Sequence, residues 1–128
     1  MNIGIVRPNL ADIVRCAPAL RDKLGGSLGE TPNEFYDGKI ISWPLLGSCQ
    51  RNPALKRDST VGIILPGQYS FKAIHEEWEF VLDGVLHASI DNISWGEFCY
   101  PAHIIVSPGE IEHVRVKDRP AVYLCEYW

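Results

Sequence analysis

From residue 33 onward, four dipeptides ending in glycine divide the sequence into short β-rich runs, which limits the chain to folds built of short strands. The dipeptides are Asp37-Gly38, Pro66-Gly67, Asp83-Gly84 and Pro108-Gly109. Because glycine adopts the positive φ that tight turns use, each dipeptide predicts a turn. Many short strands at this spacing predict an antiparallel sandwich or closed barrel and disfavour a parallel sheet.

Seven runs between these turns have the residue types of strands. They are residues 60–65, 69–74, 79–82, 85–90, 104–106, 113–116 and 121–127. Asp83-Gly84 lies directly between two of them and predicts a two-residue hairpin. Residues 46–58 contain Pro53 and three basic residues, a composition that predicts an exposed loop.

The first part of the chain has a different pattern. Its apolar residues recur at steps of three and four, which predicts one face of a helix: Leu10, Ile13, Val14, Ala17, Leu20 and Leu24. Asn9 is a suitable N-cap, Pro18 divides the helix, and Gly25-Gly26 ends it. We therefore expect a helical extension and linker over residues 1–32 and a β domain over residues 33–128.

Composition narrows the classes of function. The 128 residues suit one domain, and the formal net charge of −4 argues against a general nucleic-acid binder, which needs a basic face. No apolar run reaches the roughly 18 residues of a membrane span, and the N-terminus lacks the pattern of a secretory signal. The four cysteines form no C-x-x-C pair, so we expect reduced thiols and a cytoplasmic protein.

Two segments resemble the motifs of cupins. In residues 77–84 a glutamate precedes a turn glycine, as in the first cupin motif, and in residues 107–113 Pro-Gly leads into a strand with a histidine, as in the second. Phe71 and Ala73 stand where metal-dependent cupins carry two inward histidines. The resemblance implies an all-β, cupin-type double-sheet jelly-roll barrel behind the short N-terminal helical extension.

A narrower resemblance involves four segments in order, residues 33–40, 59–71, 76–78 and 123–127. Together they resemble the pyrimidine/purine nucleoside phosphorylase family of small bacterial cupins. The resemblance implies a homodimer that uses inorganic phosphate to cleave purine and pyrimidine nucleosides to free base and ribose 1-phosphate, with no metal or other cofactor. This sequence departs from the family in four ways. Residues 1–32 are additional, and the 46–58 loop is longer. The alignment slips by one residue around residues 110–115, and Glu126 stands where the family usually has a basic residue.

Phosphorolysis of a nucleoside passes through an oxocarbenium-like sugar, as glycoside cleavage does. It needs a held phosphate, a proton donor near the departing base and contacts to the ribose hydroxyls. We therefore interpret three groups of residues as site candidates: Glu77, Glu79 and His113 for catalysis, Arg115 and Lys117 for phosphate, and Tyr69, Trp78 and Tyr127 for stacking on the base.

The direction of these side chains stays open at the level of sequence. Strand alternation places His113, Arg115 and Lys117 on one face and Val114 and Val116 on the other. If His113 points into the barrel, Arg115 points in with it; otherwise the basic side chains face solvent. His113 also suits a hydrogen-bonded core histidine, and the three aromatic candidates suit the core or a dimer interface.

Two other functions compete with the phosphorylase. One is a non-catalytic cupin that binds a small polar ligand or a partner protein, which the N-terminal extension and Glu126 favour. The other is a different cupin enzyme, either sugar-modifying or metal-dependent, with His75, His113 and Glu77 as candidate ligands. Phosphorolysis requires cations near the barrel interior, and a metal enzyme requires at least three converging ligands.

Overall fold

The computed structural model describes residues 27–28, 33–46, 49, 51–52 and 54–128, which form eleven antiparallel strands and no helix within those ranges. The strands are β1 (Ser27–Leu28), β2 (Asn33–Phe35), β3 (Ile40–Leu46), β4 (Ser59–Ile64), β5 (Gly67–Lys72), β6 (Glu77–Asp83), β7 (Val85–Ser89), β8 (Gly96–Cys99), β9 (His103–Val106), β10 (Ile111–Val116) and β11 (Ala121–Tyr127). The helix predicted between residues 9 and 24 lies outside the described residues. The described part of the chain offers no helix long and apolar enough to span a membrane.

The strands form two sheets that pack face to face. The larger sheet has the order β1-β3-β4-β11-β6-β9, with β2 also paired to β3, and the smaller sheet has the order β5-β10-β7-β8. A core cluster of apolar side chains from both sheets, among them Ile64, Val81, Leu86 and Val114, fills the space between them. This is the cupin-type double-sheet jelly-roll barrel that the sequence predicts.

Three of the four glycine dipeptides carry the chain from one sheet to the other. Pro66-Gly67 joins β4 to β5, Asp83-Gly84 joins β6 to β7, and Pro108-Gly109 lies between β9 and β10. The hairpin predicted at Asp83-Gly84 is therefore wrong, since β6 pairs with β9 and β11 while β7 pairs with β8 and β10. A glycine dipeptide predicts that the chain turns. The packing of the two sheets decides which strand then pairs with the one that follows the turn.

The predicted strands agree with β4 to β7 and β9 to β11 to within two residues, and residues 121–127 agree completely with β11. Strands β1, β2, β3 and β8 were not predicted. β3 contains Pro44, a residue that disfavours a strand, and β8 has four residues and begins at Gly96. Ser27 and Leu28, in the predicted linker, pair with Leu46 and Leu45 of β3.

The larger sheet is apolar on both faces. Its inner face contributes to the barrel core, while alternate residues form a second buried cluster on its outer face. The members of this outer cluster are Ile41, Trp43, Leu45, Val61, Ile63, Leu82, Val122 and Leu124. A strand in the middle of this sheet thus has buried side chains on both sides.

We expect Gly84→Ala to destabilise the fold more than Gly109→Ala. Both glycines have positive φ, +76° and +85°, so each alanine costs about 1–2 kcal/mol in backbone strain. A Cβ at Gly84 would lie 2.6 Å from the Pro120 carbonyl oxygen, whereas one at Gly109 meets nothing within 4 Å, which adds roughly 1–3 kcal/mol at Gly84. Urea unfolding of the two variants and the wild type measures the loss in free energy of unfolding. Equal losses would show that the approach to Pro120 does not constrain the crossing.

Candidate functional site

A cavity of about 210 Å³ lies between the two sheets, and three glutamates point into it. Glu77 and Glu79 are two positions apart on β6, so their side chains share the face that lines the cavity. Glu112 reaches the cavity from β10 in the opposite sheet. Aromatic side chains form much of the remaining wall: Phe35, Tyr36, Phe71, Tyr123 and Tyr127. The cavity therefore combines an apolar wall with a cluster of acidic groups, a common composition for small-molecule sites.

No cation among the described lining residues offsets these carboxyl groups. None of the four histidines of the chain lines the cavity, and neither does any described lysine or arginine. Glu112 is only 2% exposed, and its Oε2 has no hydrogen-bond partner within the described ranges. Burial without a counter-charge favours the neutral form of a carboxyl group.

The pKa values of Glu112 and Glu79 follow from this burial. Desolvation raises the pKa of Glu112 to about 7; the charge of Glu77 adds to the rise, and a hydrogen bond with Glu79 partly offsets it. Desolvation also raises the pKa of Glu79 well above its usual value, and the charge of Glu112 raises it further. The two carboxyls therefore behave as a pair that retains a proton near neutral pH.

Cys125 lies beside the third carboxyl group. Its Sγ donates a hydrogen bond to Oε1 of Glu77 over 3.5 Å. Burial raises the pKa of Glu77, and this hydrogen bond and the charge of His75 partly offset the rise. Burial, together with the charges of Glu79 and Glu77, raises the pKa of the Cys125 thiol well above its usual value. A protonated thiol is a poor nucleophile, so Cys125 is a wall residue and a hydrogen-bond donor.

Glu77, Glu79 and Cys125 have potential metal-ligand atoms within 4.8 Å of one another. They do not fit the metal of a metal-dependent cupin. Phe71 and Ala73 occupy the two histidine positions, one as a wall of the cavity and one in the apolar core. The remaining set mixes two hard carboxyl groups with one soft thiol and contains no histidine, so it differs from the imidazole-rich ligand set of a metal-dependent cupin.

Tyr36 links the two sheets at the edge of the cavity. It lies in the turn between β2 and β3 with a positive φ of 51°, and its hydroxyl donates to the carbonyl oxygen of Ser70 on β5. Its ring packs edge-to-face against Tyr69 and Phe71, with centroids 5.3 and 5.5 Å away. These contacts attach the β2–β3 turn of the larger sheet to β5 of the smaller sheet, at a side of the barrel where no backbone pairing joins β3 and β5.

Among the predicted site residues, Glu77, Glu79 and Tyr127 line the cavity. His113 and Arg115 lie on the face of β10 that points away from the cavity. Nδ1 of His113 is 2.9 Å from the Ser70 hydroxyl, and the Arg115 guanidinium lies 4.4 Å from the centre of the Trp95 ring.

The inward orientation considered for His113 and Arg115 is thus not observed, and Lys117 lies in an exposed pocket with Asp118 and Arg119. The physical reason is the pleat of β10, which turns Val114 and Glu112 inward together.

Two predicted stacking residues also lie outside the cavity. Trp78 is on the outer face of the larger sheet, where it stacks on His103 with ring centroids 5.5 Å apart and an interplanar angle of 3°. Tyr69 is buried in the core, and its hydroxyl donates to the Leu65 carbonyl oxygen over 2.6 Å. Their roles in base stacking stay predictions that this placement does not favour.

Glu126, which departs from the family pattern, anchors the 46–58 loop. It is fully buried on the outer face of β11. Its Oε2 accepts a hydrogen bond from Cys49 Sγ over 2.8 Å, and its Oε1 accepts one from the Arg51 backbone N–H over 2.9 Å. The Arg51 guanidinium lies between the rings of Trp78 and Trp128, 4.0 and 3.7 Å from their centres. Glu126 thus ties Cys49 and Arg51 to β11.

Sequence reasoning missed Glu112 as a site residue. The available signal was the apolar side chain two positions further along, because residues that alternate on a strand share a face and Val114 suits the core. The histidine of the second cupin motif drew attention to the neighbouring position, where the alignment slips by one residue.

Residues 30–127 match the sequence model of the family described as pyrimidine/purine nucleoside phosphorylase. The chain belongs to this family. A pyrimidine/purine nucleoside phosphorylase from Pseudomonas entomophila (strain L48) is 31% identical over 96 residues, which cover 74% of this chain and 94% of the relative.

Solved structures share the barrel of this phosphorylase family member. A protein of unknown function from Vibrio parahaemolyticus superposes with a TM-score of 0.66 at 26% identity, covering 80% of this chain and 99% of that chain. A putative ethanolamine utilization protein from Salmonella typhimurium superposes with a TM-score of 0.59 at 10% identity, covering 81% and 97% of the two chains. The second likeness concerns the fold alone.

We expect the free energy of unfolding to fall as the pH rises from 5 to 8, and Glu112→Gln to reduce that fall. Because folding raises the pKa of Glu112 from 4.5 to about 7, its neutral form stabilises the folded state below the lower value, and this stability is lost as the pH passes the higher one. The contribution is on the order of 3 kcal/mol. Urea unfolding at both pH values measures it, with the exposed Glu97→Gln as control. Identical pH dependence in wild type and Glu112→Gln would contradict the shift.

We expect Glu126→Leu to release the 46–58 loop, because the Arg51 amide loses its acceptor. Loss of one such intramolecular hydrogen bond costs roughly 0.5–1.5 kcal/mol. Hydrogen exchange at the Arg51 amide should become faster than in wild type, while Glu97→Leu at an exposed position leaves it unchanged. Retained protection in Glu126→Leu would show that other contacts hold the loop.

Proposed function

We propose that this protein catalyses phosphorolysis of purine and pyrimidine nucleosides to free base and ribose 1-phosphate, with the sugar bound in the barrel cavity. The observation that carries the proposal is the pair of a half-buried Glu79 and a buried Glu112, whose raised pKa values keep a proton available inside an apolar-walled cavity at neutral pH. Membership of the family supports the same reaction class.

The pair supplies the proton donor for the departing base. As the bond from the anomeric carbon to the base nitrogen breaks, the base takes a proton from the Glu79–Glu112 pair, and a phosphate oxygen forms a bond to that carbon. The pair regains its proton from the hydrogen phosphate, so the overall reaction neither consumes nor releases protons. A carboxyl group with a pKa near the working pH is well suited to donate and accept in turn.

The second role, contact with the sugar, belongs to Glu77. Of the three carboxyls, it alone accepts a hydrogen bond from Cys125, and the charge of His75 also favours its ionised form. An ionised carboxylate accepts hydrogen bonds from ribose hydroxyls and stabilises the positive charge of an oxocarbenium-like sugar. Aromatic side chains form much of the cavity wall, and Tyr127 offers a face for the base.

The reaction needs no metal in this proposal, because phosphate is the nucleophile and the carboxyl pair provides the proton. A homodimer in the cytoplasm is the state that the family resemblance implies, and it belongs to the same proposal.

A second candidate function is binding of a small polar ligand without catalysis. The observation that favours it is the lack of any cation among the described residues that line the cavity. A binding protein needs no phosphate site, whereas a phosphorylase must obtain one close to the cavity.

The test is release of free base from a panel of purine and pyrimidine nucleosides by chelator-treated protein, with and without inorganic phosphate. We expect release that requires phosphate and survives chelation. Glu112→Gln should lower kcat by about 10²–10⁴-fold, as loss of a general acid does, while Glu97→Gln on the exposed face of β8 retains wild-type kcat. The wild-type rate should decline as the pH rises above about 7, because Glu112 then loses its proton.

No release from any nucleoside by the folded wild type would overturn the proposal in favour of ligand binding. Release that stops on chelation and returns with an added divalent ion would overturn the metal-free mechanism.

A further inference from the structure

Phosphorolysis requires a site for the phosphate dianion, and the cavity does not contain one. Its described lining residues include three glutamates and no lysine, arginine or histidine. Repulsion from the carboxyls would keep a dianion out of the interior. Arg115, which the sequence suggested for this role, is on the other face of β10 over Trp95. If the proposed function holds, the phosphate cations must come from the rim of the barrel.

A second pocket, of about 280 Å³, provides such cations and shares one wall residue with the cavity. It is lined by Lys56, Arg57, Asp58, His75, Tyr127 and Trp128. Tyr127 is the shared residue, since it also lines the acidic cavity. Both pockets therefore adjoin Tyr127 at the end of β11, one with basic groups in its lining and the other with carboxyl groups.

Electrostatics also connects the two pockets. His75 precedes Glu77 by two positions, and its charge favours the ionised form of that carboxyl group against the dominant effect of burial. A cation that influences a cavity carboxylate lies near the cavity and not at a remote surface. An anion bound at His75 would therefore be held beside the sugar-binding end of the cavity.

Contacts with the end of the chain hold the basic segments in place. The Tyr127 N–H donates to the Asp58 carbonyl oxygen over 3.0 Å, and the Trp128 N–H donates to the Glu76 carbonyl oxygen over 2.8 Å. The Arg57 guanidinium lies 4.1 Å from the centre of the Trp128 ring. The backbone on both sides of the pocket is thus attached to β11, so its cations are positioned relative to the cavity.

Glu126 holds the segment that leads to two of these cations. Its carboxyl group accepts hydrogen bonds from Cys49 Sγ and from the Arg51 N–H. Lys56 and Arg57 follow a few residues later and line the pocket with Tyr127 and Trp128. The segment therefore supplies positive charge at the end of β11.

We propose that Lys56, Arg57 and His75 form the binding site for the inorganic phosphate that attacks the nucleoside, at the junction between their pocket and the barrel cavity. This assignment rests on the proposed function and names the phosphate site of that reaction. Asp58 is the one acidic side chain among the described residues that line the pocket, so the cations outnumber it whenever the lysine and arginine are charged. Phosphate is bound by such groups through charge-assisted hydrogen bonds, and the nucleoside is held separately by the carboxyls.

The experiment measures inorganic phosphate binding and catalysis separately. Binding of phosphate to the full-length protein is followed by titration calorimetry without nucleoside, and KM for phosphate is taken from base release. Arg57→Gln and Lys56→Gln should each weaken phosphate binding and raise its KM by about tenfold, with KM for the nucleoside unchanged. Arg119→Gln removes the same charge from an exposed ion pair with Asp83 and should leave both quantities unchanged.

The outcomes separate this inference from the proposed function. Wild type that binds phosphate but releases no base, with binding weakened by Arg57→Gln, would overturn the phosphorylase and support the phosphate site. Phosphate-dependent base release with an unchanged KM for phosphate in both Arg57→Gln and Lys56→Gln would overturn the site and leave the phosphorylase standing. A rise in that KM with Arg115→Gln alone would place phosphate on the outer face of β10. Since Lys56 is exposed, its variant provides a folded test if Arg57→Gln is unstable.

Discussion

The alternation of side chains along β11 is the constraint on which both the cavity and its surroundings depend. The strand is paired with β4 on one edge and β6 on the other, so its register is set on both sides. Tyr123, Cys125 and Tyr127 consequently face the cavity, while Leu124 packs in the outer cluster and Glu126 holds the loop. A shift of one residue would exchange the two sets and remove the cavity wall and the loop anchor together.

Burial of like charges gives the cavity its chemistry. Three carboxyls in an apolar barrel cannot all ionise at neutral pH without compensation, so the structure keeps a proton on the Glu79–Glu112 pair. The same burial keeps Cys125 a thiol. An environment that is unfavourable for negative charge thus provides an acid inside the barrel, and in the proposed reaction it favours phosphate binding outside the cavity.

Much of the fold could be predicted from local patterns. The β-rich runs are real strands, because their residue types and glycine-bounded lengths reflect local backbone preferences. The pairing at Asp83-Gly84 could not be predicted, since the chain there crosses from the larger sheet to the smaller one. Nor could β3, where Pro44 opposes a strand but long-range pairing with β4 stabilises one. In each case contacts between residues far apart in sequence overrode a local signal.

The amino-acid sequence by itself determined the positions of seven strands, the family and two of the cavity glutamates, Glu77 and Glu79, because these depend on residue types at short spacing. The tertiary structure decided which face of β10 turns inward, and so replaced His113 by Glu112 in the cavity. It also decided what Glu126 contacts, since the Arg51 amide lies 75 positions away in sequence. The physical reason is that the direction of a side chain on a strand depends on which face the opposite sheet covers, and that is settled only when the two sheets pack.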